Sequence, residues 1–180
     1  MVGSLRRLLV NLRQVNVLTV YHEFIQVLAE CELVKLPCPS SNWKCLVLKM
    51  GLTRSELPGI AWLLRCSPTL ETLELSFGHE NFFQGLCIGS HFGPYFEDWK
   101  REMFFPGLAY HLKIIHIIGF TGNSYEVELE FLLKNALVLE KIVFCSLKEH
   151  QSGKMFSEMI LSFPRGSASA AIYSFEKYYD

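Results

Sequence analysis

The sequence predicts an α/β repeat stack, with a parallel sheet on one side and helices on the other. Three observations carry that prediction: a short apolar pattern recurs five times, its spacing is nearly constant, and stretches of helical periodicity lie between the copies. The pattern is apolar, two residues, apolar, one residue, apolar. Its anchors are Val15, Leu18 and Val20; Trp43, Leu46 and Leu48; Leu70, Leu73 and Leu75; Leu112, Ile115 and Ile117; and Leu139, Ile142 and Phe144. From first anchor to first anchor the intervals are 28, 27, 42 and 27 residues. Three of the four fall within the span of about 20 to 29 residues typical of leucine-rich repeats. The expected fold class is therefore α/β, a leucine-rich-repeat-like solenoid with a parallel β-sheet on the concave side and helices on the convex side.

The last two anchors of each trio alternate with period two, so they share one face of a strand and point into the core. Between the second and third trios, Leu57, Ile60, Ala61 and Leu64 follow helical spacing. Thr53 and Glu56 are placed as a capping box and Pro58 lies in the first turn, which gives a helix over residues 55 to 66. Asn123 or Ser124 caps a second helix that carries Val127, Phe131 and Leu132 inward; Ser152 caps a third with Phe156, Ile160 and Phe163. The run Pro164 to Ser169 reads as a loop and Ala171 to Phe175 as a last short strand. Strand, helix and strand in alternation imply right-handed crossovers and a parallel sheet backed by helices. One such unit leaves a greasy side of both its strand and its helix in water, and only stacking on neighbours covers them.

Composition bounds the function. With 180 residues, half of them hydrophobic, the chain fills a single folded unit. Its 17 basic and 18 acidic residues leave a formal charge of −1, with no excess to attract nucleic acid or an acidic membrane. Arg6, Arg7 and Arg13 read as a solvated edge. No apolar stretch reaches the roughly 18 residues needed to span a bilayer. The cysteines Cys31, Cys38, Cys45, Cys66, Cys87 and Cys145 sit mostly in apolar segments, as reduced thiols do, and point to a cytoplasmic or nuclear location.

The residues between the anchors face away from the core and form three rows. The middle row is Thr19, Val47, Glu74, His116 and Val143. Its neighbours are Val17, Cys45, Thr72, Ile114 and Lys141 on one side, and Tyr21, Lys49, Ser76, Ile118 and Cys145 on the other. A repeat stack usually binds on this surface, so Val47, Glu74, Ile114, His116, Ile118 and Val143 are the expected partner-binding residues. The bland reading is that parallel strands are often apolar on both faces without any partner. The long interval holds an insertion at about residues 78 to 111, with Phe82, Phe83, Phe92, Tyr95, Phe96, Trp99, Phe104, Phe105 and Tyr110. So many rings are expected to cover one end of the core, with a partner-facing lid as the second reading.

Catalytic and metal chemistry is set aside. Cys31, Cys38 and Cys45 recur every seven residues, whereas zinc sites favour pairs about two to four apart. His79, Cys87, His91, Glu97 and Asp98 cluster in the insertion, but match no ordered motif for a thiol nucleophile or a mixed metal site. A lone His116 reads as a polar surface residue rather than a pH sensor. No cofactor, metal or catalytic residue is expected, and the chain is read as no enzyme.

Leu57-Pro58-Gly59-Ile60-Ala61, followed by Leu63 to Leu73, resembles the repeat region of plant F-box proteins that carry leucine-rich repeats and an FBD module. His111-Leu112-Lys113 with Gly119-Phe120, then Glu128 to Ala136 and Val138 to Lys141, resembles the FBD core; Ser162-Phe163-Pro164-Arg165 resembles its ending. The resemblance implies a repeat region over residues 1–105 and FBD-like repeats over 106–180 that continue the same solenoid. It also implies a non-catalytic protein-interaction module, like the substrate-recognition region of a ubiquitin-ligase receptor. The sequence starts within the repeats, so the resemblance extends to the recognition half alone and not to an adaptor contact. The expected partner is a protein, such as a ubiquitination substrate, with neither nucleic acid nor membrane. The alternative is a small-molecule, hormone-type receptor pocket beneath the 78–111 insertion.

Overall fold

A computed structural model describes residues 2–30, 40–51, 56–77, 104–120, 126–147 and 158–177. The elements in chain order are α1 (Val2–Leu12), β1 (Val17–Tyr21), α2 (His22–Glu30), β2 (Cys45–Met50), α3 (Leu57–Arg65), β3 (Thr72–Phe77), α4 (Pro106–Tyr110), β4 (Ile114–Ile118), α5 (Glu126–Asn135), β5 (Lys141–Leu147) and β6 (Ala171–Lys177). The six strands form one sheet in sequence order, and every neighbouring pair is parallel. The protein is thus α/β, with the strand expected at Ala171 joining as the sixth member.

Backbone bonding shows why the repeats superimpose. The Asn16 carbonyl accepts from the N–H groups of both Lys44 and Cys45. The Lys44 carbonyl accepts in the same way from Glu71 and Thr72, Glu71 from Lys113 and Ile114, and Lys113 from Glu140 and Lys141. At four of the five strand junctions one carbonyl fixes the next strand through two donors, and at the fifth the Glu140 carbonyl accepts from the Ala171 N–H, so pairing starts at the same point in each repeat. Consequently the 42-residue interval leaves the register unchanged: Leu73 still pairs with Ile115 and Leu75 with Ile117.

The anchors form the core. Trp43, Leu46, Leu48, Leu70, Leu73, Leu75, Leu112, Ile115, Ile117, Leu139, Ile142 and Phe144 are all buried, together with Leu18 and Val20. Val15 is only partly buried against this cluster, because β1 ends the sheet. Each fully buried Leu or Ile contributes about 1.5 to 3 kcal/mol before conformational entropy is counted. The helices contribute to the same cluster through Leu9 of α1, Ile25 and Leu28 of α2, Ile60 to Leu64 of α3, Leu108 of α4, Leu129, Leu132 and Leu133 of α5, and Ile160 of a helical turn at 158–162. The Trp43 indole N–H donates to the Leu12 carbonyl at 2.8 Å, fastening the end of α1 beneath the second repeat.

Local features can be set beside the expectations. The helix expected at about residues 55 to 66 is α3, Leu57–Arg65, with Pro58 in its first turn as expected. Glu56 sits just before that helix, and Thr53, its expected partner in a capping box, lies outside the described residues. The fully buried carboxylate of Glu56 reaches back to the Gly51 N–H, at 3.0 Å and 3.2 Å, and closes the turn after β2. Glu56→Ala is expected to cost about 2 kcal/mol, the penalty for leaving a shielded N–H without its acceptor, and Glu56→Gln distinctly less; urea unfolding of both variants measures it. At the end of the segment expected as an insertion at about 78 to 111, Phe105 and Leu108 are core residues beside the anchor Leu112. Of the α5 residues expected to point inward, Leu132 is buried and Phe131 packs partly buried at the core edge. Thr53, Asn123, Ser124, Ser152, Phe156 and the remaining insertion residues 78–103 lie outside the described residues, as does the side chain of Val127.

Gly119 is a glycine for backbone reasons. It follows β4 at φ 70, in the left-handed region, and donates its N–H to the Cys145 carbonyl at 2.9 Å. Any residue with a Cβ is strained there, so Gly119→Ala should lose about 1 to 2 kcal/mol in thermal unfolding. The same bend swings Phe120 inward to meet Phe77 edge to face at 5.1 Å.

Candidate functional site

Strand pairing builds the three rows residue by residue. Thr19, Val47, Glu74, His116 and Val143 lie opposite one another in a single line, which β6 extends by Tyr173. The flanking rows run from Val17 through Cys45, Thr72, Ile114 and Lys141 to Ala171, and from Tyr21 through Lys49, Ser76, Ile118 and Cys145 to Phe175. All six expected residues, Val47, Glu74, Ile114, His116, Ile118 and Val143, therefore share one face and are half-buried there. Tyr173 and Phe175, both exposed, were missed. The alternation of the last strand could have found them, since an inward Ile172 sets Tyr173 and Phe175 on the outward face.

Charge is concentrated at the middle of the face. Lys49 Nζ lies 3.1 Å from Glu74 Oε1, and His116 Nδ1 lies 3.9 Å from Glu74 Oε2. A carboxylate between a lysine and a histidine is held in place, flanked by Val47 on its own row and with Ile114 and Ile118 on the adjacent strand. Further along, the Lys141 ammonium sits 4.8 Å from the centre of the Tyr173 ring, a cation–π contact. The face thus mixes an ionic cluster on β2–β4 with apolar and aromatic side chains on β4–β6.

At the N-terminal ends of the strands, Lys44 pairs with Glu71 at 2.9 Å and Lys113 with Glu140 at 3.6 Å. The Lys44 ammonium, through its hydrogen bond and charge, holds the Glu71 carboxyl below its usual range. These exposed pairs fix strand ends more than they add stability.

Burial pushes the Cys45 thiol above its ordinary range, and the Glu74 carboxylate raises it further. Both effects disfavour the thiolate, so Cys45 is a poor nucleophile at neutral pH. Glu74→Gln removes only the smaller influence. Alkylation of Cys45 by iodoacetamide, followed by peptide mapping, should be slow at neutral pH in the parent chain and modestly faster in the variant. Among the described residues no group of three or more His, Cys, Asp or Glu side chains is placed to hold a metal ion. Cys31, Cys38, His79, Cys87, His91, Glu97 and Asp98 lie outside the described residues. No described helix is long and apolar enough to cross a membrane.

Comparison with known proteins places these features. Residues 106–144 match the FBD family model, a span running from α4 through β4 and α5 into β5. Over 183 residues the chain is 28% identical to an F-box/LRR-repeat protein of Arabidopsis thaliana, covering 96% of this chain and 37% of the relative. A second F-box/LRR-repeat protein of that plant is 27% identical over 142 residues, covering 76% of this chain and 31% of the relative. A third is 30% identical over 126 residues, covering 69% and 26%. The chain is thus similar over most of its length to plant F-box/LRR-repeat proteins, and spans roughly a quarter to two fifths of the length of such relatives. No solved structure matches it.

Proposed function

We propose that this chain is a non-catalytic protein-binding module, and that the sheet face carrying Val47, Glu74, Ile114, His116, Ile118 and Val143 selects a protein partner. In this reading the sheet is the concave side of a leucine-rich-repeat-like solenoid and the helices are its convex side. Residues 1–105 form the repeat region, and 106–180 continue it with FBD-like repeats. The similarity to F-box/LRR-repeat proteins favours a role like that of the substrate-recognition region of a ubiquitin-ligase receptor, in the cytoplasm or nucleus.

The observation that carries the reading is the composition of one register line. Val47, Glu74, His116 and Val143 follow one another across four strands, so a fixed charged group is set among apolar neighbours. Such a surface suits a protein, which supplies apolar area for affinity and a charged or hydrogen-bonding group for orientation.

The test is a photo-crosslinking residue placed at Val143, compared with one at exposed Arg65 on α3, in plant extract. Crosslinks to a specific protein should form from Val143 and not from Arg65. Ile114→Asp and Val143→Asp should weaken capture of that protein by about tenfold or more, as expected for apolar residues at the centre of an interface. Both variants must keep the parental far-UV circular dichroism. Equal capture by parent and variants would overturn the proposal.

A further inference from the structure

The lysines along the sheet follow one habit, with one departure. Lys44, Lys49 and Lys113 each meet a glutamate carboxylate of the following repeat, at 2.9, 3.1 and 3.6 Å. Lys141 on β5 is half-buried, and among the described residues no carboxylate pairs with it. Its ammonium lies instead 4.8 Å from the centre of the Tyr173 ring. The ring attracts the charge and holds it over the sheet face, but brings no anion to it.

Register makes that charge part of the face. Lys141 lies opposite Ile114, so His116 is its diagonal neighbour on β4, and Val143 follows two residues along β5. All four side chains are half-buried. On the far side of His116, Glu74 is already held by Lys49 at 3.1 Å. The negative charge of the face is therefore balanced, whereas that of Lys141 is not. Among the described side chains, the face presents one uncompensated cation, set between two apolar residues and a histidine.

Resting on the reading of this face as the partner-binding surface, we propose that the bound protein segment presents an aspartate or glutamate between apolar residues. Its carboxylate seats on the Lys141 ammonium beside His116, and the flanking apolar side chains lie on Ile114 and Val143. A purely apolar segment would cover the ammonium without giving it an anion, at a cost in desolvation. A basic segment would bring like charge to Lys141 and find Glu74 already paired, and like charges across an interface exclude wrong partners. A single ammonium also matches a carboxylate better than a phosphate group, whose charge of about −1.5 to −2 and three acceptor oxygens call for a cluster of cations.

Random short peptides displayed on phage and selected on the whole chain test this. Peptides enriched by the parent should carry an aspartate or glutamate beside apolar residues, and replacing that acid by its amide should weaken binding about tenfold. Lys141→Glu should release these peptides and enrich others with lysine or arginine at the same place. Lys141→Gln, which stands in should the reversal unfold the chain, should bind the parent's peptides about tenfold more weakly. Lys134→Glu, the same reversal at an exposed position on α5, controls for net charge and should leave them bound. Peptides that Val143→Asp releases but that carry no acid, or that parent and both Lys141 variants bind equally, overturn this proposal and leave the face standing as a binding surface. Enrichment of basic peptides by the parent overturns it in the same way, with Glu74 as the group that reads them. A parent that enriches no peptide, or only peptides that survive Val143→Asp and both Lys141 variants, overturns the reading of the face as well.

Discussion

Leu73→Asp is expected to abolish cooperative unfolding altogether, leaving a chain without near-UV circular dichroism. Leu73 is fully buried on β3, with Leu46 on one side and Ile115 on the other in the same row. A carboxylate at that point has no partner within reach and sits at the middle of the sheet, where both neighbouring repeats depend on it. Leu73→Ala should be milder, at about 3 to 4 kcal/mol, from lost transfer energy and the cavity left behind. That is still a large share of the about 5 to 15 kcal/mol that holds a typical domain together. The decisive comparison is Thr72→Asp. Thr72 is one residue earlier, half-buried on the opposite face, and its substitution should leave a cooperative transition lowered by only about 1 kcal/mol, the scale of strand preferences. Equal damage from the two would mean that the alternation along β3 does not decide which side chains build the core.

This alternation is also why so much of the sheet was legible. A buried row must be apolar in every repeat, so Leu46, Leu73, Ile115 and Ile142 announce both strand and register without any knowledge of the helices. The facing rows followed by subtraction, as did all six residues of the candidate face. The elements that escaped notice obey weaker constraints. In and just after α1, Arg6, Arg7 and Arg13 interrupt the Leu and Val residues, so a helix with an inward Leu9 reads as a solvated edge. Pro106 and the aromatic residues before it suggest a loop, although proline fits the first turn of a helix and α4 begins with it. The hydrogen bond from the Gly51 N–H to Glu56 depends on where β2 ends, which helical spacing does not reveal. On β6 the positions in register with the anchors are Ile172 and Ser174, too weak a pair to join the recurring pattern, so its outward Tyr173 and Phe175 were not added to the face.

Gly107→Ala is the second substitution expected to have a large effect, and its cause lies in how the FBD segment is joined to the repeats before it. Gly107 is in the first turn of α4, directly over the turn that follows α3. A Cβ there would lie 2.1 Å from the Ser67 carbonyl oxygen and 3.3 Å from the Leu70 Cβ. The first of these is backbone, so no side-chain rotation relieves the overlap; one of the two segments must move. The Ser67 turn is fixed by the Ser67 hydroxyl, which donates to the Leu63 carbonyl at 2.7 Å, and by the Leu70 N–H, which donates to the Ser67 carbonyl. The α4 side is fixed as well, since the Gly107 carbonyl accepts from the N–H groups of both His111 and Leu112. Moving α4 would pull Leu108 and the anchor Leu112 out of the core, and moving the turn would pull out Leu70. The expected loss is about 3 kcal/mol, at the upper end for overpacking because the nearest obstacle, the Ser67 carbonyl, is backbone. Urea unfolding should show a lower midpoint, and with strain placed between β3 and β4 the transition should broaden as the two halves of the sheet begin to melt apart. An unchanged midpoint and slope would mean that α4 does not rest on the Ser67 turn. The joint between the repeats would then be made by strand pairing alone.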